Sequence, residues 1–494
     1  MRNNLYSISS KIINFFFILF IIIFSVSCLL TTYYLDFGHP RGYSIIYERG
    51  INIVNIILIV ILVIFIIFAN KKNFFGLKEK QLLSIEMIVF TICGICLIVM
   101  HNNAFLQSDS GNVMDAAYKM FNGDYSVLDF KSYMNANPNN FGLFTTDYLL
   151  LKIFKDPSVV ATVFRTINLV FGILIYVFLY KITNLLFNNH IVNMNLLLIY
   201  LGFNQLVFSS MFVYGNVISY SLSIISVYYL LKYFKTDKIV YSCIAIITIM
   251  LSIFIRKNSL IILIAEVIFI ILYIIKSKKL LNIILIPVIG GLLFLTTTGV
   301  EKYYGSLVNY DYSKTAMPTI TWIAYGLNYD EKTPGRWFDE YDRIHVANNF
   351  ETDLIKVEAK QFISKTLDEF AKNPALALDF FAKKFSSSWS DPRYDSFTRS
   401  HNSLNPLLET DAFQDSFTCY WDSWLTIISI ALIILLTTRF KFKLEYMLPA
   451  LCVIGGFLFH FFWEVKALYC YQYVLFLLPY AALGLSKITQ FSKQ

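Results

Sequence analysis

Apolar residues run along this chain in long unbroken blocks separated by short polar turns. Stretches such as Ile12 to Leu30 and Ile51 to Phe68 reach or exceed the roughly 18 residues that mark a membrane span. Reading by apolar length predicts about twelve transmembrane helices, near 11–32, 50–69, 81–101, 158–180, 190–212, 215–234, 239–255, 258–275, 281–298, 423–438, 445–463 and 467–488. An all-α polytopic membrane fold follows, and an outer-membrane barrel is excluded because the runs are continuous instead of alternating. The first run is too long and too weakly punctuated at its end for a cleaved signal and is expected to stay as an anchor. Two segments between spans are long and polar, 102–156 and 299–422. The expected organisation is a transmembrane domain over residues 1–298 carrying the first outer loop 102–156, an extracytoplasmic loop domain 299–422, and C-terminal transmembrane helices 423–494.

Orientation follows from the basic residues. With the N-terminus in the cytoplasm, the inside loops hold Lys71, Lys72, Lys78 and Lys80, then Lys181, Lys232, Lys235 and Lys238, and further on Lys276, Lys278, Lys279, Arg439, Lys441, Lys443 and Lys487. Both long polar segments then lie on the outer face, with Arg256–Lys257 and Glu464 to Lys466 in short turns beside them. Interfacial helices are expected there. Val113, Met114, Ala117, Tyr118 and Phe121 make an amphipathic stretch in the first loop. In the second, Asp353 to Lys384 repeats apolar residues at helical spacing, and Pro374 is expected to break it into two helices.

Composition removes whole function classes. The chain is 57% hydrophobic and 15% charged, whereas soluble domains carry roughly 25% charged residues. Soluble enzymes, secreted disulfide scaffolds, nucleic-acid binders and disordered chains are excluded. The net charge of +8 is accounted for by basic cytoplasmic loops without an anionic partner. The seven cysteines are scattered; Cys93 and Cys96 form a CxxC inside a span and read as buried small hydrophobes. No Gly-rich phosphate loop follows a strand. The histidines, His39, His101, His190, His345, His401 and His460, have no metal-ligand spacing.

Candidate chemistry lies on the outer side. Asp109 follows the third span by a few residues, where the medium changes from lipid to water and partial desolvation favours a basic carboxylate. It reads either as a catalytic base or, with Ser110, as the cap of the following helix. Arg256–Lys257 breaks the charge rule for an outer turn, which leaves two readings: snorkelling to headgroups or binding an anion. Arg165, Glu86 and Glu266 lie within spans, where an unpaired charge is costly, so each is either functional or half of a structural pair.

Three stretches resemble the GT-C class of polyprenyl-phosphate-dependent membrane glycosyltransferases, in particular bacterial glycosyltransferase family 39 proteins related to protein O-mannosyltransferases. The first comprises Asp109, Ala117, Gly123-Asp124-Tyr125, Tyr133, Pro138 and Gly142. The second runs from Glu464 through Tyr469 to Pro479 and resembles an E-x-x-x-R-Y-x-x-P element; here Leu468 replaces the arginine and the nearest cation is Lys466. The third is Pro318 to Trp322, Gly326-Leu327 and Gly335-Arg336-Trp337.

The resemblance implies a GT-C-like fold in which Asp109 deprotonates an incoming hydroxyl while cations hold the donor phosphate. Arg256 and Lys257 are the first candidates and Lys466 the third, with Asp115, Tyr133, Asn139, Arg165, Glu464 and Tyr469 lining the site. Trp322, Trp337 and Trp389 are candidate sugar platforms. A single base implies inversion at the anomeric carbon. Some relatives use a divalent metal at the first-loop acid, for which Asp109, Asp115 and Asp147 are the candidates; no required metal or other cofactor is expected. The implied partners are a polyprenyl-phosphate sugar, such as an undecaprenyl-phosphate sugar, an envelope glycan, teichoic acid, lipid or protein acceptor, and membrane lipid; no nucleic acid is expected. The Ile, Asn, Lys and Tyr bias points to an AT-rich genome and a bacterial plasma membrane. Two rivals remain at this point. An envelope polysaccharide polymerase would rely on outer-loop arginines, and a lipid-linked sugar flippase would show two related halves with broken helices at mid-membrane.

Overall fold

The computed structural model describes residues 2–39, 42–49, 52–100, 106, 108–330, 332–338, 344–397, 408, 410–438, 440 and 442–491. It is a helical bundle with one antiparallel hairpin, β1 (Thr31–His39) and β2 (Gly42–Arg49). The helices in chain order begin with α1 (Arg2–Leu30), α2 (Ile53–Lys71), α3 (Glu79–Met100), α4 (Ser108–Phe121), α5 (Tyr133–Ala136), α6 (Phe141–Phe154) and α7 (Pro157–Phe187). Next come α8 (His190–Gly202), α9 (Leu206–Ser209), α10 (Asn216–Thr236), α11 (Ile239–Ile255), α12 (Leu260–Ser277), α13 (Leu285–Phe294), α14 (Val300–Val308) and α15 (Ile320–Gly326). The last are α16 (Thr352–Lys372), α17 (Pro374–Trp389), α18 (Asp411–Thr437), α19 (Leu444–Phe462), α20 (Ala467–Leu475) and α21 (Leu478–Phe491). Pro374 occupies the first turn of α17, where its missing N–H costs nothing, so the amphipathic stretch is divided at Asn373.

Each of the twelve apolar segments is helical, but not each is a full span. Among the described residues nine helices are long and apolar enough to cross a membrane, and a tenth counts if α20 and α21, bent by 53°, are one span. The other two, α8 and α11, are shorter. The run 190–212 departs furthest from the expectation: α8 ends at Gly202, and a polar turn with the one-turn helix α9 follows. Gly202 is where the ring of Trp424 presses on α8, at a separation no side chain would allow. Cys93 and Cys96 also depart from the reading. The buried stripe of α3 is Leu82, Glu86, Phe90, Gly94 and Leu97, which turns both cysteines outward, and they are exposed.

The two long polar segments meet at one end of the bundle. The Tyr312 hydroxyl donates to the Leu128 carbonyl at 3.0 Å, Asn135 Nδ2 to Thr315 Oγ1 at 2.9 Å, and the Phe141 ring stacks on Tyr304 at 4.7 Å. The insertion is also tied to the end of α19. Lys384 Nζ donates to the carbonyls of Gly326, Phe461 and Trp463 at 2.6 to 2.9 Å, and the Glu464 amide donates to Trp322. Gly326 is required there, because an added Cβ would lie 2.1 Å from the Phe462 carbonyl oxygen.

Candidate active site

Asp109 lies in the first turn of α4, half-buried, and its Oδ2 accepts a hydrogen bond from the Tyr214 hydroxyl at 3.1 Å. The Tyr133 hydroxyl is electrostatically coupled to this carboxylate, and accepts from Asn140 Nδ2 at 3.0 Å. Asn140 Oδ1 accepts from Arg256 Nη1 at 3.3 Å. The guanidinium closes the ring by lying over Tyr214, with Cζ 3.9 Å from the ring centroid. Asp109, Tyr133, Asn140, Arg256 and Tyr214, from four separate stretches of chain, thus form one cycle.

The electrostatics of the cycle are complementary. Burial and the nearby Asp109 charge push the Tyr214 and Tyr133 phenols above their ordinary range, so both stay neutral and donate. Burial opposes the Arg256 charge, but Tyr214, Tyr469 and Asp109 offset it and hold the guanidinium above its usual range. Asp109, Tyr133, Arg256 and Tyr469 each keep part of their surface open. A base, a fixed cation and an accessible face therefore coincide.

Local structure explains the placement. Gly142 at the start of α6 lies where an added Cβ would sit 1.5 Å from the Phe254 carbonyl oxygen, so only glycine lets the Asn140 turn dock on the end of α11, where Arg256 emerges. The Tyr214 turn closes on Gly215, at φ +77°. Its other end is held from α7, where Arg165 Nε donates to the Met211 carbonyl at 3.3 Å and Asn168 Nδ2 to Ser210 and Phe212. Beneath Arg256, hydroxyls of Ser219, Ser223, Ser252 and Ser259 bond to one another at 2.7 to 3.1 Å and receive Gln472 Nε2. This network joins α10, α11 and α20 under the cationic turn.

Residues 141–312 match the sequence model of the Alg9-like mannosyltransferase family, a stretch that includes Tyr214, Arg256 and Lys257. This chain is a membrane glycosyltransferase. Among curated proteins none matches it.

The glycosyltransferase does not gather every residue that its sequence nominated. Asp115 is exposed and pairs with Lys119 at 2.7 Å, because six positions beyond Asp109 lie on another face of α4. Asn139 reaches only its neighbour Asn140, at 3.5 Å, and Asn140 makes the bonds to Tyr133 and Arg256. Arg165 is buried against the carbonyl of Met211 and positions the turn. Lys257 pairs with Glu301 at 2.5 Å and Lys466 with Glu464 at 3.3 Å, so each has a carboxylate partner of its own. Tyr469 does approach Arg256. Trp389 packs inside the bundle on Phe20 and Phe385 and is no sugar platform. Glu266 is buried and accepts a hydrogen bond from the Ser226 hydroxyl at 2.6 Å. Asp147 is buried in the apolar cluster of α6, and among the described residues no group of three or more His, Cys, Asp or Glu could hold a metal ion. His101, His401, Arg439 and Lys441 lie outside the described residues.

Tyr214 and Asn140 were not nominated from sequence. Asn140 sits inside a stretch the resemblance had marked, whereas Tyr214 had only its place before Gly215, a turn residue, as a signal. Because Lys257 is engaged with Glu301 and partly exposed, Lys257→Ala in the glycosyltransferase is expected to lower turnover by about threefold or less, measured as initial rate against donor concentration.

Proposed function

We propose that this glycosyltransferase moves a sugar from a polyprenyl-phosphate carrier to a hydroxyl of a cell-envelope acceptor on the outer face of the plasma membrane, with inversion at the anomeric carbon. Mannose is the first sugar to test, since the matched family is one of mannosyltransferases. The reading rests on the single cycle that holds Asp109 and Arg256 together.

In the proposed reaction the acceptor hydroxyl gives its proton to Asp109 as its oxygen attacks the anomeric carbon. The bond from that carbon to the phosphate oxygen breaks and its electron pair stays on the phosphate. The leaving group is already a stable anion and needs no strong general acid; Arg256 neutralises the charge it gains. A β-linked donor yields an α-linked product. Lys466, whose Nζ lies 5.7 Å from the Tyr469 ring centroid, contributes a longer-range positive field that Glu464 attenuates.

Purified protein in proteoliposomes, given undecaprenyl-phosphate mannose and envelope extracts, is expected to release undecaprenyl phosphate and label one acceptor fraction. Gene deletion should remove the same sugar from that fraction. Retention of every envelope sugar in the deletion strain, with no release in vitro from any lipid-linked sugar tested, would falsify the reading. Because Arg256 supplies the phosphate's counter-charge in this scheme, excess EDTA is expected to leave the initial rate within about twofold. A chelator-sensitive rate restored by one divalent ion would move that role from Arg256 to a metal.

A further inference from the structure

We propose that Ser219, Ser252, Ser259 and Gln472 are positioning residues: they hold the Arg256 guanidinium in register with Tyr214 and Tyr469, and thereby set how strongly the site grips the donor phosphate. This rests on the donor reading above. Arg256 stands on no helix of its own. It ends α11 in extended backbone, at φ −143° and ψ 113°, and a single turn, Lys257–Ser259, follows before α12. A long side chain at such a junction has many directions open to it, and ordering it costs conformational entropy. Its direction is therefore set by what fixes the backbone on either side.

Two serines fix it. The Arg256 amide donates to the Ser252 carbonyl at 2.9 Å, and the Arg256 carbonyl accepts from the Ser259 amide at 3.2 Å. The hydroxyls of the same two serines bond to each other at 2.7 Å, which closes a loop of chain around the arginine. Ser219 Oγ, from α10, joins both, at 2.9 Å from Ser252 Oγ and 2.7 Å from Ser259 Oγ. The Ser219 amide donates to the carbonyl of Gly215, the residue after Tyr214, at 3.0 Å. The turn that carries the ring and the turn that carries the guanidinium are thus tied together as well as touching directly. Gln472 brings in the third partner. It follows Tyr469 by three residues on α20, so the two share a helix face, and its Nε2 donates to Ser223 Oγ at 2.9 Å and to Ser259 Oγ at 3.4 Å. Tyr469 is one of the groups that favour the charged form of Arg256.

Packing alone does not call for these polar groups. Ser219, Ser252, Ser259 and Gln472 are each at most 1% exposed. Small residues let helices of a membrane protein approach closely, a task that alanine performs as well as serine. A buried hydroxyl or amide costs free energy unless it is bonded. Here the bonds reach across α10, α11, the Arg256 turn and α20, so a shift of any one segment leaves a buried donor or acceptor unpaired. The network therefore penalises small displacements around Arg256. Such displacements matter for a charge that must meet a phosphate, since a misplacement of about 1 Å can cost on the order of a hundredfold in rate.

The test is a double-mutant cycle read as equilibrium binding of undecaprenyl phosphate to the full-length protein in nanodiscs. Ser259→Ala alone is expected to weaken binding about fivefold to tenfold. In protein that already carries Arg256→Ala, the same change should alter binding less than twofold, because the group it positions is gone. Gln472→Met, on a different element and of similar size, should show the same dependence on Arg256 and decides the matter if Ser259→Ala does not fold. Ser221→Ala removes a fully buried hydroxyl of α10 that bonds to none of the described residues, and it should leave binding unchanged. Equal weakening with and without Arg256, or no weakening in either single variant, overturns the proposal and leaves the network as packing. Arg256→Ala protein that binds as tightly as wild type overturns it as well, since there is then no grip to set. Wild-type protein that binds no undecaprenyl phosphate would instead remove the donor reading beneath it.

Discussion

Asp109→Asn is expected to cut sugar transfer by roughly a thousandfold, within the range that a positioned general base contributes. That is about 4 kcal/mol on the barrier. The amide is nearly isosteric, and its carbonyl oxygen can still accept from Tyr214, so the cycle and the fold should persist. What it cannot do is take a proton. Donor binding is therefore expected to stay within about twofold of wild type while kcat falls, the signature of an interaction used only in the transition state. The variant also separates catalysis from capping, because asparagine caps a helix about as well as aspartate. Near-normal turnover would leave Asp109 with a structural role alone, and a polymerase that depends on outer-loop arginines would return as the better account.

Arg256→Ala should lower kcat/KM by about a hundredfold to a thousandfold, the loss seen when one preorganised charge-stabilising group is removed. Unlike the Asp109 change, this one is expected to weaken donor binding as well, since in the proposed reaction the guanidinium faces the phosphate before and after the bond breaks. Arg256→Lys should recover only part of the loss. Lysine keeps the charge but loses the guanidinium contact over Tyr214 and the fork that reaches Asn140. The measurement is donor KM and kcat in proteoliposomes, with thermal stability of the detergent-solubilised protein as a control for the buried serine network under the turn. If alanine leaves the donor KM unchanged, the phosphate is held elsewhere, and Lys466 is the next residue to vary.

The contrast among the nominated residues has a physical origin. Asp109 and Arg256 were visible because each reads as out of place in the topology expected from the sequence, an acid at the expected lipid boundary and a cation on the face that the charge rule keeps clear of cations. Asp115 sat in the same marked loop, but helical periodicity of about 100° per residue puts it roughly 240° around α4 from Asp109, and it pairs with Lys119 in solvent. Lys257 and Lys466 share Arg256's charge but not its surroundings, each having a carboxylate of its own within 3.3 Å.

The chain's residue pattern alone determined its solvent, its helical class, the two polar segments and the unusual acid and cation, since each follows from the cost of putting charge or bare backbone in hydrocarbon, which is a property of single stretches. Only the tertiary structure decided that 190–212 is a short helix and a turn, that Tyr214 and Asn140 join Asp109 to Arg256, and that residues 390–396 of the insertion sink into the bundle. Those outcomes depend on contacts between segments far apart in the chain, such as Gly142 against Phe254 and Gly202 against Trp424, where the fit of one backbone against another element sets the geometry and local pattern carries no record of the partner.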